Sequence, residues 1–206
     1  MVFLRNETIK QYLRWYPVNA LLVIGMLIVF LVMEAVGSTT DQETLLRFGA
    51  MFKVQGLEPE WWRYITAVFL HIGWSHLLFN LFSLYVFAPP LERLLGHIGY
   101  LFFFLITGVL GNALSYWLTS DDSLSAGASG AIYGVFGAYL FLGLFRKELF
   151  DRQSKQTVVT ILVVGLIYSL VTPQINLYAH LGGFLAGFAF AMLTPRRQHR
   201  GGEGGA

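Results

Sequence analysis

Six apolar stretches, most of them long enough to cross a lipid bilayer, dominate this chain of 206 residues. A helix needs about 20 apolar residues to span a hydrocarbon core of ~30 Å, and backbone in lipid must satisfy its own hydrogen bonds. Charged residues make up 13% of the chain and hydrophobic ones 55%, whereas a soluble domain carries about 25% charged residues. We therefore predict an all-α polytopic membrane protein. The predicted spans are 17–35, 72–95, 98–118, 126–145, 157–172 and 177–194.

The six stretches are close together, which predicts a single six-helix membrane domain over residues 1–195. The polar, glycine-rich segment 196–206 is expected to be a disordered cytoplasmic tail. The fifth stretch is the shortest, and it would need helical extension towards Gln153 or local thinning of the bilayer. The first stretch exceeds the apolar core of about 7–15 residues that is typical of a signal peptide, so we interpret it as a retained helix rather than a cleaved leader.

The distribution of basic residues predicts the orientation of the spans. With six crossings and both termini in the cytoplasm, eleven of the fourteen Lys and Arg residues lie on the cytoplasmic side. The other three are all in the loop before the second span, and this bias follows the positive-inside rule. We expect a cell inner-membrane protein of the bacterial type, with that long, partly apolar loop folded against the outer leaflet.

Composition excludes several classes of function. The chain contains no cysteine, which rules out disulfides, thiol nucleophiles and iron–sulfur clusters. A net charge of +2 gives no reason to expect nucleic acid as a partner.

Polar side chains inside predicted spans are costly in lipid and are therefore candidates for function. Those that stand out are His71, His76, Asn80, Ser129 and His180. They lie at the starts of the second, fourth and sixth spans, which all run from outside to inside. These distant segments are therefore expected to place their polar groups at a similar depth near the outer face.

A metal site is not expected from these residues. His76 and Asn80 are four positions apart and share a helix face, but His71 is five positions before His76 and points elsewhere. Few histidine and carboxylate side chains are expected at that depth. We therefore predict neither a metal nor another cofactor.

Ser129 and His180 together suggest nucleophilic catalysis. A serine hydroxyl is a weak nucleophile until a base such as histidine removes its proton, and small neighbours, Gly127 among them, would let another chain approach Ser129. No Asp or Glu is positioned to orient His180, so a dyad is predicted, with Tyr133 stacking on the ring one turn after Ser129. The alternative for Ser129 is a structural hydrogen bond to a carbonyl one turn back.

Gly183 and Gly187 are spaced as in membrane helices that pack closely. This spacing would let the sixth span approach the fourth and bring His180 to Ser129. A transporter or proton channel that uses His76, Asn80 and His180 as a relay is the alternative for the whole set. The cores of spans three to six hold no acidic residue, and such a relay would be expected to need one.

Four short motifs resemble those of the rhomboid intramembrane serine proteases in their minimal six-helix form, over nearly the whole chain. They are Trp62-Arg63, His76-Leu-Leu-Phe-Asn80, Gly127-Ala-Ser129-Gly130 with Tyr133, and Ala179-His180-Leu-Gly-Gly183-Phe-Leu-Ala-Gly187. Each motif is weak alone, but their order on alternate spans is specific.

The resemblance implies a rhomboid-like bundle in which Ser129 is the nucleophile and His180 the general base. It also implies an oxyanion hole formed by His76, Asn80 and the backbone N–H of Ser129. Glu92 matches an acidic residue that the family uses structurally. The substrates would be transmembrane proteins cut in or near their spans, with the site open to the extracytoplasmic side. A catalytically dead relative that only binds membrane clients is the other alternative, but such proteins typically lack the serine or the histidine.

Overall fold

The computed structural model describes residues 2–119, 122–146, 148, 151–171 and 175–194. The predicted tail, 196–206, lies outside these residues. The helices are α1 (Ile9–Trp15), α2 (Pro17–Val36), α3 (Gln42–Phe48), α4 (Arg63–Thr66), α5 (Gly73–Leu95), α6 (His97–Leu118), α7 (Ser129–Phe145), α8 (Arg152–Val171) and α9 (Leu177–Leu193). A 3₁₀ turn (Ala67–Phe69) follows α4, and the strands are β1 (Met51–Lys53) and β2 (Ser123–Ser125). Over the residues that the structure describes, the protein is all-α apart from this one strand pair, as predicted.

Each of the six predicted spans coincides with one of the helices α2, α5, α6, α7, α8 and α9. Within the described residues, length and hydropathy qualify two helices to cross a membrane, α2 and α6. A third qualifies if Arg63–Phe69 and α5, which meet at an angle of 89°, form one bent span. The helices α7 and α9 are apolar but shorter. Six helices at the predicted places are therefore observed, whereas six crossings stay a prediction.

Two helices begin three or more residues away from the predicted position, whereas the starts of the other four agree to within one residue. The fourth span was predicted to begin at 126, but α7 begins at Ser129 because Gly127 has a φ of +140°, outside the helical region. The fifth was predicted to begin at 157, but α8 begins at Arg152. Asp151 accepts hydrogen bonds from the backbone N–H of Ser154 at 2.9 Å and from its hydroxyl at 2.8 Å, and such bonds stabilise a helix start.

The helices α7 and α9 approach each other so closely that backbone touches backbone. A Cβ atom added to Gly183 would overlap the carbonyl oxygen of Gly130, and one added to Gly187 would overlap that of Gly134. Only glycine leaves room for this approach. The spacing of Gly183 and Gly187 therefore positions the start of α9 against the start of α7.

The long loop before α5 is joined to the segment that precedes α7. β1 pairs with β2 in antiparallel register, with Met51 opposite Ser125. Two residues later, the backbone N–H of Gly127 donates to the carbonyl of Ala67 at 2.8 Å. These bonds hold the turn from which α7 begins.

Arg63 anchors this loop. Its guanidinium donates to the carbonyls of Leu46 at 2.8 Å and Ala50 at 3.1 Å. It also lies over the ring of Trp62, 4.6 Å from the ring centroid. The contacts of the Trp62-Arg63 pair therefore stabilise the loop.

At the other end of α5, the buried side chain of Glu92 binds the start of α2. Its carboxylate accepts from the backbone N–H groups of Val18 at 3.1 Å and Asn19 at 2.9 Å. These are first-turn donors with no partner inside their own helix, and a carboxylate is favoured at the positive end of the helix dipole. Glu92 thus joins α5 to α2, which is a structural role.

We expect Gly187→Ala to destabilise the protein by about 1–3 kcal/mol, because the added methyl group would force α9 away from α7. Thermal unfolding in detergent micelles would measure this loss. Gly25→Ala in α2 is the matched control, since a Cβ there meets nothing within 4 Å and alanine favours the helix. Equal unfolding midpoints for the two variants would contradict the close approach of α7 and α9.

Candidate active site

Ser129 is the first residue of α7, directly after the turn at Gly127. The helical hydrogen-bond ladder begins when the N–H of Ile132 donates to the carbonyl of Ala128 at 3.0 Å. The first N–H groups of any helix, including that of Ser129, have no partner inside the ladder and carry the positive end of its dipole. The Ser129 hydroxyl therefore lies next to backbone donors that can stabilise a negative charge.

His180 lies in the first turn of α9 and is buried. Asn176 caps this helix by accepting from the backbone N–H of Ala179 at 3.0 Å, which fixes the helix start. The Nε2 atom of His180 is 2.9 Å from the Oγ atom of Ser129. This distance is within the hydrogen-bond range that transfer of the serine proton requires. The structure thus brings together the two side chains that the sequence proposed as a pair.

Tyr133 lies one turn after Ser129 and stacks on the imidazole of His180. The ring centroids are 4.1 Å apart and the rings are inclined by 11°. The stack fixes the plane of the imidazole, as expected for Tyr133 from the sequence. Stacking does not fix the rotation of the imidazole within that plane, which depends on hydrogen bonds.

His76 presents its Nε2 edge to the turn before Ser129. The backbone N–H of Ile72 donates to its Nδ1 at 3.4 Å, and a neutral imidazole with an accepting Nδ1 carries its proton on Nε2. A Cβ on Gly127 would lie 2.7 Å from both Nε2 and Cε1 of His76, so Gly127 is the residue that makes room for this ring. The arrangement supplies an N–H donor beside the turn.

Asn80 is buried on α5, and its amide nitrogen donates to the carbonyl of His76 at 2.8 Å. This bond is within the helix, and the place of Asn80 among the oxyanion donors stays a prediction.

His71 is fully buried and packs edge-on against His76, with ring centroids 5.2 Å apart. His71 was expected to point away from His76 because of their helical spacing, but His71 lies before the start of α5, so that spacing does not apply and the two rings meet.

Sequence reasoning missed Ser169, which lies on α8 and contacts His180 directly. Its Oγ atom is 2.9 Å from Nδ1 of His180, on the ring edge away from Ser129. A polar residue in an apolar stretch could have marked Ser169 as a candidate. The spacing between Ser169 and His180 could not, because it depends on how α8 packs.

The described residues contain no group of three or more His, Cys, Asp or Glu side chains that could hold a metal ion. The site combines a hydroxyl, an imidazole in contact with it, and N–H donors beside it. These groups are suited to acyl transfer.

The sequence matches the family profile described as the Rhomboid domain over residues 58–197. YdcA of Bacillus subtilis, a candidate rhomboid protease by its name, is 35% identical over 201 residues, which are 97% of this chain and 99% of YdcA. The rhomboid protease GluP of the same organism is 34% identical over 172 residues, which are 82% of this chain but 34% of GluP. Rhomboid-type serine protease 2 of Emericella nidulans is 31% identical over 140 residues, 66% of this chain and 27% of that protein.

Fold, site and relatives together define a membrane-integral enzyme of the serine-type peptidase class. Within that class, the chain belongs to the rhomboid family. The resemblance drawn from the four motifs is therefore confirmed.

We expect Gly127→Ala to abolish peptidase activity, since the new methyl group would displace the ring of His76. Gly56→Ala is the matched control because Gly56 also has a positive φ, +79°, but a Cβ there meets nothing within 4 Å. Backbone strain is thus common to both variants, whereas the contact with His76 is not. Cleavage of a membrane-protein substrate is the measurement, and equal activity of the two variants would contradict this packing of His76.

Proposed function

We propose that this protein is an intramembrane serine endopeptidase that cleaves peptide bonds in or near transmembrane segments of other membrane proteins. The observation that supports it best is the distance of 2.9 Å between Ser129 Oγ and His180 Nε2. In this proposal, Ser129 is the nucleophile and His180 the general base of a dyad. The names of the relatives YdcA and GluP support the same reaction.

The reaction follows from the positions of the two side chains. His180 Nε2 takes the proton of Ser129 while Oγ attacks the carbonyl carbon of the scissile bond. The tetrahedral intermediate collapses when the protonated ring gives that proton to the leaving amine, and an ester to Ser129 remains. Water then attacks the ester, His180 again accepts a proton, and the acid product leaves with Ser129 restored.

The negative charge of the tetrahedral intermediate needs donors aimed at its oxygen. We assign this role to the backbone N–H of Ser129, to Nε2–H of His76 and to the amide of Asn80. The packing of His76 against Gly127 supports the assignment for the histidine. Each such donor contributes about 10²–10³ in kcat in soluble proteases.

The membrane arrangement is part of the proposal. Six crossings, with both termini cytoplasmic, make α5, α7 and α9 parallel and carry their starts to the extracytoplasmic side. Water can then reach Ser129 from that side, which hydrolysis of the ester requires. A peptide bond inside a stable helix is shielded by its own turn, so substrates would be spans with weak helical structure.

We expect Ser129→Ala to reduce cleavage of a single-span substrate by about 10⁶-fold, hence below detection, because no other group can form the ester. Reaction with a fluorophosphonate probe should disappear in the same variant and in His180→Ala. Ser75→Ala is the control, since Ser75 is an exposed serine in the first turn of α5. Cleavage that persists in Ser129→Ala would refute the proposed nucleophile.

Because the chain contains no cysteine, single introduced cysteines can test the crossings directly. We expect a membrane-impermeant maleimide to label Gly56→Cys and Ile175→Cys from the extracytoplasmic side of intact cells. Lys10→Cys and Gln153→Cys should react only after permeabilisation. Labelling of positions 153 and 175 from the same side would show that α8 does not cross, and the six-span topology would be wrong.

A further inference from the structure

Ser169 is buried at the point where α8 meets the proposed catalytic pair. Its Oγ atom has three polar neighbours. Nδ1 of His180 is 2.9 Å away, the carbonyl oxygen of Gly165 is 2.8 Å away, and the hydroxyl of Tyr133 is 3.3 Å away. A single hydroxyl therefore contacts the base, its stacking partner and the backbone of its own helix one turn back.

The single proton of Ser169 can serve only one of these neighbours. The carbonyl of Gly165 can only accept, so at 2.8 Å the hydroxyl must donate to it. If the hydroxyl proton pointed to His180 instead, lone pairs of the Ser169 hydroxyl oxygen and of the Gly165 carbonyl oxygen would face each other at 2.8 Å. Donation to the carbonyl one turn back is also the usual habit of serine in a helix.

The position of this proton decides the tautomer of His180. Because the hydroxyl of Ser169 donates its proton in the hydrogen bond to the carbonyl of Gly165, its oxygen can only accept from Nδ1, which must then carry the N–H of the neutral ring. Nε2 is left without a proton, and Nε2 is the atom 2.9 Å from the hydroxyl of Ser129. A bare Nε2 is the form of the ring that can act as a base towards Ser129.

The absence of a side chain at Gly165 supports the same contact. A Cβ atom there would overlap the hydroxyl of Tyr133. Gly165 thus lets the tyrosine reach α8 while its ring stacks on His180. The plane of the imidazole is held by Tyr133 and its rotation within the plane by Ser169.

We propose that Ser169 is a positioning residue of the peptidase, which sets the Nδ1–H tautomer of His180 through the Gly165–Ser169–His180–Ser129 hydrogen-bond chain. This rests on the proposed function of Ser129 and His180. Ser169 takes the place that a buried aspartate holds in a catalytic triad, where it fixes the tautomer of the histidine. Because Ser169 is on α8, the base is prepared only when α8 is packed against α7 and α9.

The experiment compares Ser169→Ala with two controls in lipid nanodiscs. Ser169→Thr keeps a hydroxyl that can bond the carbonyl one turn back. Ser154→Ala makes the same chemical change on the same helix, at a buried serine that bonds Asp151 and the backbone N–H of Val2 rather than His180. The measurements are kcat and KM for a single-span substrate, and ¹⁵N NMR of histidine-labelled protein, with His180→Ala used to assign the signal of His180.

We expect Ser169→Ala to lower kcat by roughly ten- to hundredfold, the cost of one buried donor left unpaired. KM should change little, Ser169→Thr should restore most of kcat, and Ser154→Ala should keep it. In the unaltered protein the ¹⁵N spectrum should show the proton of His180 on Nδ1, and in Ser169→Ala a mixture of both tautomers.

A proton on Nε2 in the unaltered protein would overturn the proposal, even if Ser169→Ala failed to fold. Unchanged kcat in Ser169→Ala, together with complete loss in Ser129→Ala, would overturn it and leave the proposed function intact. Cleavage that persists in Ser129→Ala would instead refute the proposed function, whereas the tautomer would still be measured independently of activity.

Discussion

The site depends on one contact, the approach of the α9 backbone to the α7 backbone at Gly183 and Gly187. Ser129 and His180 are the first-turn residues of these two helices, so the separation of the helix axes sets the distance between the side chains. In lipid, helices gain little from burying apolar surface, and close packing of small residues takes over that role. The same glycines therefore stabilise the bundle and position the hydroxyl and the imidazole 2.9 Å apart.

The sequence predicted the parts of this structure that depend on hydropathy and on residue type. The six helices lie at the predicted stretches, and Ser129, His180 and Tyr133 meet as expected, because apolar length, small-residue spacing and the depth of polar groups are all visible in the sequence. The contact of Ser169 with His180 was not predictable, since it depends on the rotation of α8 about its own axis. Nor was the β1–β2 pair, because three residues per strand carry no periodic pattern. That pair leads into the turn at Gly127, after which α7 begins at Ser129.

Buried or partly buried polar side chains also hold the helices together. Glu92 binds the start of α2 from α5, and Asn176 caps α9 while its amide nitrogen donates to Ser115 of α6 at 2.5 Å. Away from water each of these groups would be costly if unpaired, so each pairing selects one arrangement of two elements. These contacts lie at helix ends, where backbone donors are free. The proposed chemistry lies at such ends for the same reason.

A neutral serine at Nδ1 suits a base that is buried among membrane helices. A carboxylate there would stabilise the imidazolium more strongly, but taking an ion out of water costs several kcal/mol even when it is paired. The hydroxyl of Ser169 avoids that cost and can still select the tautomer, because tautomer choice needs only an acceptor of fixed direction. The carbonyl of Gly165 supplies the direction by accepting the one hydrogen bond that the hydroxyl can donate. In the proposed role, orientation of the base is thus separated from charge stabilisation: the ring of Tyr133 faces the imidazolium, and the N–H donors around Ser129 face the negative oxygen of the intermediate.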